Sequence, residues 1–342
     1  MYFKLGSEKK IYWDAENKLS EEDIAKIPDV GLVYWDYYHD DEDYYKAMMV
    51  QHKRMSKRLI FAGGIWTWDG LSPNYHYSFH TMKPALKAAR ECKADEAYAT
   101  LWSDDGCQTN HFFSLVGLAL FSEYNYSENV PDDDYIYSIA EYATKFSKDT
   151  ALAMDDFTHR MSGSKMLGTQ YIWTDFLLDT VDFKVDYDET LNNFKKAGEV
   201  FLKDFSSKDE WKEYYRYLWL LSEIAYRKCG MCRELKTAYN ENNREYLKNY
   251  AEIEIPQIKE LYKELKELHK KQWMDTYKAF GWEVIHARYA ILLERAEYAK
   301  DKIEMYLKGE LKNIEELDFP TLYQKEGWGK DFKKLVSGSV SF

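Results

Sequence analysis

The chain lacks the features that mark several protein classes. No apolar run approaches the ~20 residues that span a bilayer, so we expect a soluble protein. Four cysteines are too few to cross-link 342 residues, and we expect them to be reduced. Residues 1–5 (MYFKL) have neither the charged nor the apolar region of a signal peptide, which predicts a cytoplasmic site.

Basic clusters and phosphate-binding loops are also missing. With a net charge of −12 and no Lys/Arg cluster, the sequence does not favour nucleic acid or an anionic membrane surface as a partner. Neither GxGxxG nor GxxxxGK[ST] occurs, so no cofactor is expected. The pairs Cys229/Cys232 and His76/His80 each lack further ligands at metal-site spacing, so no metal is expected either.

Aromatic residues, in contrast, are abundant. They make up 17% of the chain, with 30 tyrosines and 11 tryptophans, and hydrophobic residues make up 45%. This composition excludes a disordered chain, and the length allows two domains.

Three short apolar runs each have tryptophan and aspartate at their ends. They are residues 31–36 (GLVYWD), 59–69 (LIFAGGIWTWD) and 97–105 (AYATLWSDD). Each run has the length and composition of a buried strand and precedes a segment with helical character. The runs recur at close to the roughly 30-residue period of a βα unit, which predicts a parallel sheet.

The carboxyl ends of neighbouring parallel strands converge on one face of a sheet, so these tryptophans and aspartates are predicted to share one pocket. Indole rings suit the apolar C–H face of a sugar, and carboxylates suit its hydroxyl groups. The residue types therefore indicate a carbohydrate. In the alternative interpretation, the tryptophans are core residues and the aspartates cap the following helices.

Strand signals end near Pro131, and helical periodicity follows. We predict α/β architecture in a first domain, 1–128, and a helical bundle in a second, 129–342. The acidic run at 40–43 is predicted to begin a helix over 44–58. Further helices are predicted over 82–93, 111–124, 132–146, 190–205, 210–229, 233–250 and 255–306, the last with a break near Gly281.

With these residues in hand, the chain resembles family 20 glycoside hydrolases, the β-N-acetylhexosaminidases. The likeness rests on residues 33–39 (VYWDYYH), 61–68 (FAGGIWTW) and 101–106 (LWSDDG). It implies that residues 1–128 are about strands 5 to 8 of a (β/α)8 barrel, beginning with a strand at 1–3. It also implies removal of terminal β-linked N-acetylglucosamine or N-acetylgalactosamine from a glycan.

The same resemblance implies roles for particular residues. Trp102 would floor the sugar pocket, and Asp104 would take the distal ring hydroxyls. Tyr34 would hold the acetamido oxygen. The other expected substrate-binding residues are Trp35, Asp36, Trp66, Trp68 and Asp69.

Family 20 enzymes use the substrate's own acetamido oxygen as nucleophile, with an Asp-Glu pair that orients this group and protonates the leaving oxygen. No Asp-Glu dipeptide of this chain stands at the required place, so we expect that pair upstream of Met1 and predict no catalytic residue here. Half a barrel would leave open edges. We therefore expect either association through them, as in a homodimer, or a longer gene.

Two function classes follow. The first is a retaining, substrate-assisted β-N-acetylhexosaminidase of which this chain supplies the aromatic half of the pocket. The second is a non-catalytic protein that binds carbohydrate through the same tryptophans, or a helical interaction protein in which they are core.

Overall fold

The structure is a computed structural model that describes residues 18–319 except 69, 130, 159–165, 180, 182–184 and 207–209. The chain forms two compact units. The first contains the described residues up to Thr67, then Asn74–Trp102 and Phe112–Thr144. The second contains Trp68–Pro73, Ser103–His111 and the described residues from Lys145 onward. The strand expected at residues 1–3 lies outside the described residues.

A parallel sheet forms the centre of the first unit. The described residues provide three strands, β1 (Leu32–Trp35), β2 (Leu59–Gly64) and β3 (Glu96–Thr100), in the order β1-β2-β3. Helices α2 (Glu42–Met55) and α3 (Tyr75–Glu91) connect them, because parallel neighbours require a crossover. The predicted β/α rhythm followed by helices is confirmed, and the wider barrel stays a prediction.

One face of the sheet packs on helices. Phe61 and Gly63 of β2 lie on this face, and Gly63 leaves no room for a side chain. A Cβ atom at position 63 would lie 2.4 Å from Sδ of Met82 in α3 and 3.0 Å from Cζ of Phe121. The glycine therefore allows the α3 layer to approach the sheet closely.

The opposite face is partly open to solvent. The strand register places Trp35, Ala62 and Tyr98 in one row across this face, since partnered residues of parallel strands project to the same side. Trp35 and Tyr98 are 53% and 47% exposed, whereas Ala62 between them is buried. In this row, large aromatic side chains of the two outer strands therefore flank a small side chain of the middle strand.

Capping residues explain where the helices of the first unit begin. Asp41 accepts hydrogen bonds from the backbone N–H groups of Asp43 (2.8 Å) and Tyr44 (3.4 Å) at the start of α2, so the predicted acidic helix start is confirmed. Asn74 caps α3 in the same way. The remaining helices of this unit are α1 (Glu21–Ile24), α5 (Leu115–Tyr126), which follows a 3-10 turn (His111–Ser114), and α6 (Asp133–Thr144).

The second unit is built from helices that pack on one another. Its described residues form the helices α4 (Asp104–Cys107), α7 (Lys148–Thr158), α8 (Leu167–Trp173), α9 (Tyr187–Phe205), α10 (Lys212–Asn240), α11 (Arg244–Asn249), α12 (Ile255–Thr276), α13 (Trp282–Lys308) and α14 (Glu315–Asp318). The most extensive contacts join α9 to α10, α9 to α7, α10 to α12, α10 to α8 and α12 to α13. A π-helical turn, Tyr250–Glu254, joins α11 to α12.

Two predicted helix boundaries have different outcomes. The break near Gly281 is confirmed, since this residue has φ +98° and separates α12 from α13. The break between residues 229 and 233 is wrong, because α10 continues through Gly230. A mid-helix glycine costs about 1 kcal/mol relative to alanine, and the buried residues on both sides, such as Ala225 and Leu235, outweigh it.

Charged groups are buried in the core of this unit. Nζ of Lys228 is inaccessible and donates to the carbonyl oxygens of Thr174 (2.7 Å) and Asp175 (3.1 Å). The Asp175 carboxylate accepts two hydrogen bonds from the guanidinium of Arg295, at 2.6 and 3.0 Å. The partners satisfy these groups, as burial requires. Within the described residues, no helix combines the length and the apolar character needed to cross a bilayer.

Candidate functional site

Aromatic rings from all three strand ends of the first unit meet. The indoles of Trp35 and Trp102 stack with ring centroids 5.2 Å apart and planes inclined by 29°. Tyr37 lies 5.9 Å from Trp35 and 5.7 Å from Trp66, with an edge-on geometry in both pairs. We call Trp35, Tyr37, Trp66 and Trp102 the strand-end aromatic cluster.

The small residues of β2 allow this cluster to form. Trp35 ends β1 and Trp102 follows β3, two strands that are separated by β2 and therefore about 9–10 Å apart. On the open face, β2 carries only Ala62 and Gly64 at this level. The two indoles can therefore lean across β2 until they touch.

Exposure divides the tryptophans into two kinds. Trp35 and Trp102 are 53% and 39% exposed, so both present ring surface to solvent. Trp66 is buried, and its Nε1 donates to the carbonyl oxygen of Tyr37 at 3.2 Å. Its backbone N–H donates to Oγ of Ser78 at 2.9 Å. Trp66 therefore forms the buried side of the cluster, and Trp35 and Trp102 form its exposed side.

Asp36, directly after β1, is the centre of a hydrogen-bond network. Its Oδ2 accepts from the hydroxyl of Tyr34 (2.7 Å) and lies 2.6 Å from Nδ1 of His39. Its Oδ1 accepts from the backbone N–H of Tyr38 at 2.9 Å. Burial favours the neutral acid, but the bonds from His39, Tyr38 and Tyr34 outweigh burial and hold the pKa of Asp36 below its usual value.

Tyr34 lies on the opposite face of the sheet from Trp35. Its ring lies on the helix-facing side of β1, 5.8 Å from Phe61 and 5.0 Å from His52, and is only 4% exposed. Its hydroxyl is already bonded to Asp36, and both burial and that carboxylate raise the pKa of Tyr34. Tyr34 therefore orients Asp36, and a contact between its hydroxyl and an acetamido group stays a prediction.

Three other predicted binding residues do not belong to the described part of the first unit. Trp68 belongs to the second unit and is buried, with 5% of its surface exposed. Asp104 also belongs to the second unit and is the exposed first residue of α4. Asp69 lies outside the described residues. The structure thus brings Trp35, Asp36, Trp66 and Trp102 together in one unit, and their contact with a ligand stays a prediction.

Tyr37 is the cluster member that the sequence analysis did not single out. It joins Trp35 to Trp66 and is buried. The available signal was its place in the Trp-Asp-Tyr-Tyr run immediately after β1, where a residue two positions beyond Trp35 returns to the same side of an extended backbone.

The Asp-Glu dipeptides of the described residues have other structural roles. Asp41 caps α2, and Glu42 is paired with Lys46 and with Lys87. Asp95 accepts from the backbone N–H of Leu59 at 2.8 Å, at the amino-terminal edge of the sheet. The pair at 188–189 opens α9, and residue 209 of the pair at 209–210 lies outside the described residues.

His76 and His80 lie one turn apart on α3. The rings of His76 and His80 are parallel with centroids 6.3 Å apart, and Nε2 of His80 lies 2.8 Å from Oδ2 of Asp40. Among the described residues, no group of three or more His, Cys, Asp or Glu side chains has the geometry to hold a metal ion.

Comparison with known proteins identifies the family. The profile of the Glycoside Hydrolase 20C C-terminal domain matches residues 153–337, which is more than half of the chain. No curated protein matches the chain. The matched region contains the helices from α8 to α14 of the second unit. The chain therefore belongs to glycoside hydrolase family 20, as a protein that carries the C-terminal domain of its 20C branch.

Proposed function

We propose that the strand-end aromatic cluster binds a terminal β-linked N-acetylhexosamine of a glycan, as part of a β-N-acetylhexosaminidase. One observation carries the proposal: Trp35 and Trp102 stack and remain 53% and 39% exposed at the carboxyl edge of a parallel sheet. Large exposed indoles at such an edge are typical of a binding site, because burial would otherwise be favourable.

The geometry restricts how a sugar would bind. With ring centroids 5.2 Å apart, the two indoles are in direct contact, and no pyranose ring fits between them. The sugar would pack its C–H face on the outward surfaces of both rings. Trp66 and Tyr37 would keep these surfaces in place from beneath.

In this proposal Asp36 does not bind the sugar and instead positions Trp35. The three hydrogen bonds from Tyr34, Tyr38 and His39 leave little of the carboxylate for a ligand. Asp36 would instead fix the backbone between Trp35 and Tyr37, and with it the angle of the indole. The parallel strands, with one face on helices and one face open, also support the proposal that the sheet belongs to a (β/α)8 barrel.

Hydrolysis in this family proceeds with assistance from the substrate's acetamido group. The described Asp-Glu pairs cap helices, form ion pairs or lie at the opposite edge of the sheet. We therefore assign substrate binding to the cluster and no proton transfer to these residues. The same observation favours a second candidate function, a protein that binds amino sugars without cleaving them.

Calorimetric titration with N-acetylglucosamine and N-acetylgalactosamine tests the binding site. Trp35→Ala and Trp102→Ala should each weaken binding about tenfold or more, because a buried large side chain contributes ~1.5–3 kcal/mol. Tyr126→Ala is the matched control, since this ring is 85% exposed in the same unit. Absence of heat with the unaltered chain overturns the binding proposal.

A chromogenic N-acetyl-β-glucosaminide separates the two candidate functions. Release of the chromophore supports the hydrolase, and loss of this activity in Trp102→Ala but not in Tyr126→Ala would connect it to the cluster. Binding without release supports the non-catalytic alternative. Glucose, which lacks the acetamido group, provides the specificity control in both assays.

A further inference from the structure

The second unit contains a thiol–imidazole cluster, formed by Ser103, Cys107, His111 and Tyr277. Nε2 of His111 lies 3.8 Å from Sγ of Cys107 and 3.4 Å from Oγ of Ser103. The hydroxyl of Tyr277 accepts from the backbone N–H of His111 at 2.8 Å and donates to the carbonyl oxygen of Thr109 at 3.2 Å. A nucleophile, a base and two hydroxyl groups are therefore grouped in one place.

An unusual backbone holds the thiol in the cluster. The short helix α4 ends at Gly106 with φ +90° and Cys107 with φ +56°. A side chain other than glycine or asparagine in this left-handed region costs on the order of 1–2 kcal/mol. The conformation turns the chain back, so that Cys107 and His111 face one another.

Contacts with helices of the same unit fix the rest of the loop. Oε1 of Gln108 accepts from Nε1 of Trp173 at 2.6 Å. Nδ2 of Asn110 donates to Oγ1 of Thr276 at 3.0 Å. The ring of His111 packs edge-on against Tyr277 with centroids 5.1 Å apart. The distance between thiol and imidazole is therefore set by packed neighbours on both sides.

The four cysteines of the chain differ in their electrostatic surroundings. Burial raises the pKa of Cys107, but hydrogen bonds with His111, Ser103 and Tyr277 outweigh burial and bring the pKa below its usual value. Burial raises the pKa of Cys92, raises that of Cys229 to about 12 and raises that of Cys232 well above its usual value. Since the thiolate is the nucleophile, these three provide an internal comparison.

We propose that Cys107 is a modification site at which small hydroperoxides oxidise the thiol, with His111 as the proton carrier. The thiol proton moves to Nε2 of His111, and the sulfur attacks one oxygen of the peroxide. The S–O bond forms as the O–O bond breaks, and the departing hydroxide of hydrogen peroxide, or alkoxide of an alkyl hydroperoxide, takes the proton from the imidazolium and leaves as water or alcohol. Sulfur is oxidised by two electrons to a sulfenic acid, and the peroxide is reduced.

The surroundings favour a hydroperoxide over bulkier electrophiles. Cys107 is only partly accessible, so the reagent must be small. The leaving hydroxide of a peroxide needs a proton, and both the imidazole and the Ser103 hydroxyl lie within reach of the sulfur. Neighbours that only lower the pKa of a thiol could not also donate a proton to the leaving group.

Mass spectrometry of the unaltered, reduced chain tests the proposal without any variant. The protein is treated with hydrogen peroxide at neutral pH in the presence of dimedone, which traps sulfenic acid, and adduct formation is followed at each cysteine. We expect Cys107 to be labelled at least about tenfold faster than Cys92, a second partly accessible thiol, whose pKa is raised by burial. Equal rates, or faster labelling of Cys92, would overturn the proposal.

Variants separate the role of the imidazole from simple accessibility. His111→Gln should slow dimedone labelling of Cys107 about tenfold and move the pH midpoint of its alkylation by iodoacetamide upward by about one unit. The exposed His286 provides the control, and His286→Gln should change neither quantity. Circular dichroism checks that both variants fold. An unchanged pH midpoint in folded His111→Gln contradicts the role assigned to His111.

Discussion

The hydroxyl of Tyr34 donates a hydrogen bond of 2.7 Å to Oδ2 of Asp36, two residues further along the chain. The bond fixes the backbone between them, and that backbone carries Trp35. The most exposed indole of the strand-end aromatic cluster therefore depends on a buried polar pair on the other side of its own strand.

Asp36→Asn should lower the free energy of unfolding by about 1–3 kcal/mol at neutral pH, because a buried network loses its charged acceptor. The pKa of Asp36 lies below its usual value in the folded protein. Its contribution is thus fully present above the unfolded-state pKa of about 3.9 and is lost as the pH falls through the lower folded value. Urea unfolding at several pH values should show the difference between the two proteins shrinking below about pH 4.

Asp40→Asn is the matched control for this prediction. Asp40 also contacts a histidine, at 2.8 Å from His80, but its side chain is 61% exposed. We expect a change within about 0.5 kcal/mol at every pH. Equal effects of the two substitutions would contradict the importance assigned to the Asp36 network.

Trp66→Ala and Trp35→Ala should differ in their effects on stability. Trp66 is buried at 6% exposure, and its removal should cost about 3–5 kcal/mol because a large cavity remains. Trp35 is 53% exposed, and its removal should cost less than about 1.5 kcal/mol. Thermal unfolding followed by circular dichroism checks both values. A larger loss for Trp35 would mean that its exposed position is mainly structural.

Lys228 should make stability depend on pH in the alkaline range. Burial lowers its pKa to about 8, below the unfolded-state value of about 10.4. The unfolded chain therefore binds more protons between these values, and this group raises the stability as the pH increases, by about 3 kcal/mol at most. Lys228→Met should remove that rise. The free energies of unfolding of both proteins are compared between pH 7.5 and about 10.5. Their difference reports the contribution of Lys228, because the two proteins share the same tyrosines and cysteines.

Two glycine-to-alanine substitutions should have opposite signs. Gly63→Ala places a Cβ 2.4 Å from Sδ of Met82 in a packed layer, and we expect a loss of about 1–3 kcal/mol. At Gly230, inside α10, no atom lies within 4 Å of the added Cβ, and we expect a gain of about 0.5–1 kcal/mol. Urea unfolding measures both. A stabilising Gly63→Ala would mean that Met82 moves aside easily.

The sequence predicted the parts of the fold that local patterns determine. The three strands and their following helices were visible because short apolar runs and helical periodicity alternate. The break at Gly281 was visible because glycine readily adopts positive φ. The predicted helix end at residue 229 was wrong because a glycine also fits inside a long helix. Burial of the neighbouring residues holds α10 together through Gly230, and that burial is not visible in the local sequence.

The arrangement of the candidate site is less visible in the sequence. Tyr34 and Trp35 are consecutive residues of one strand, and strand side chains alternate between faces, so the two project to opposite faces of the sheet. The family resemblance assigned both to one pocket because it rests on residue types, which do not indicate the face that a side chain occupies. Trp66 was predicted as a ligand contact, and its burial below Tyr37 depends on tertiary packing that no sequence pattern expresses.

Two indole chromophores that touch, at 5.2 Å and an inclination of 29°, are electronically coupled. Trp35 and Trp102 should therefore give an exciton couplet in the circular dichroism spectrum, and either single Trp→Ala substitution should abolish it. The protein then carries its own optical reporter of the alignment between two strands that are not hydrogen-bonded to each other.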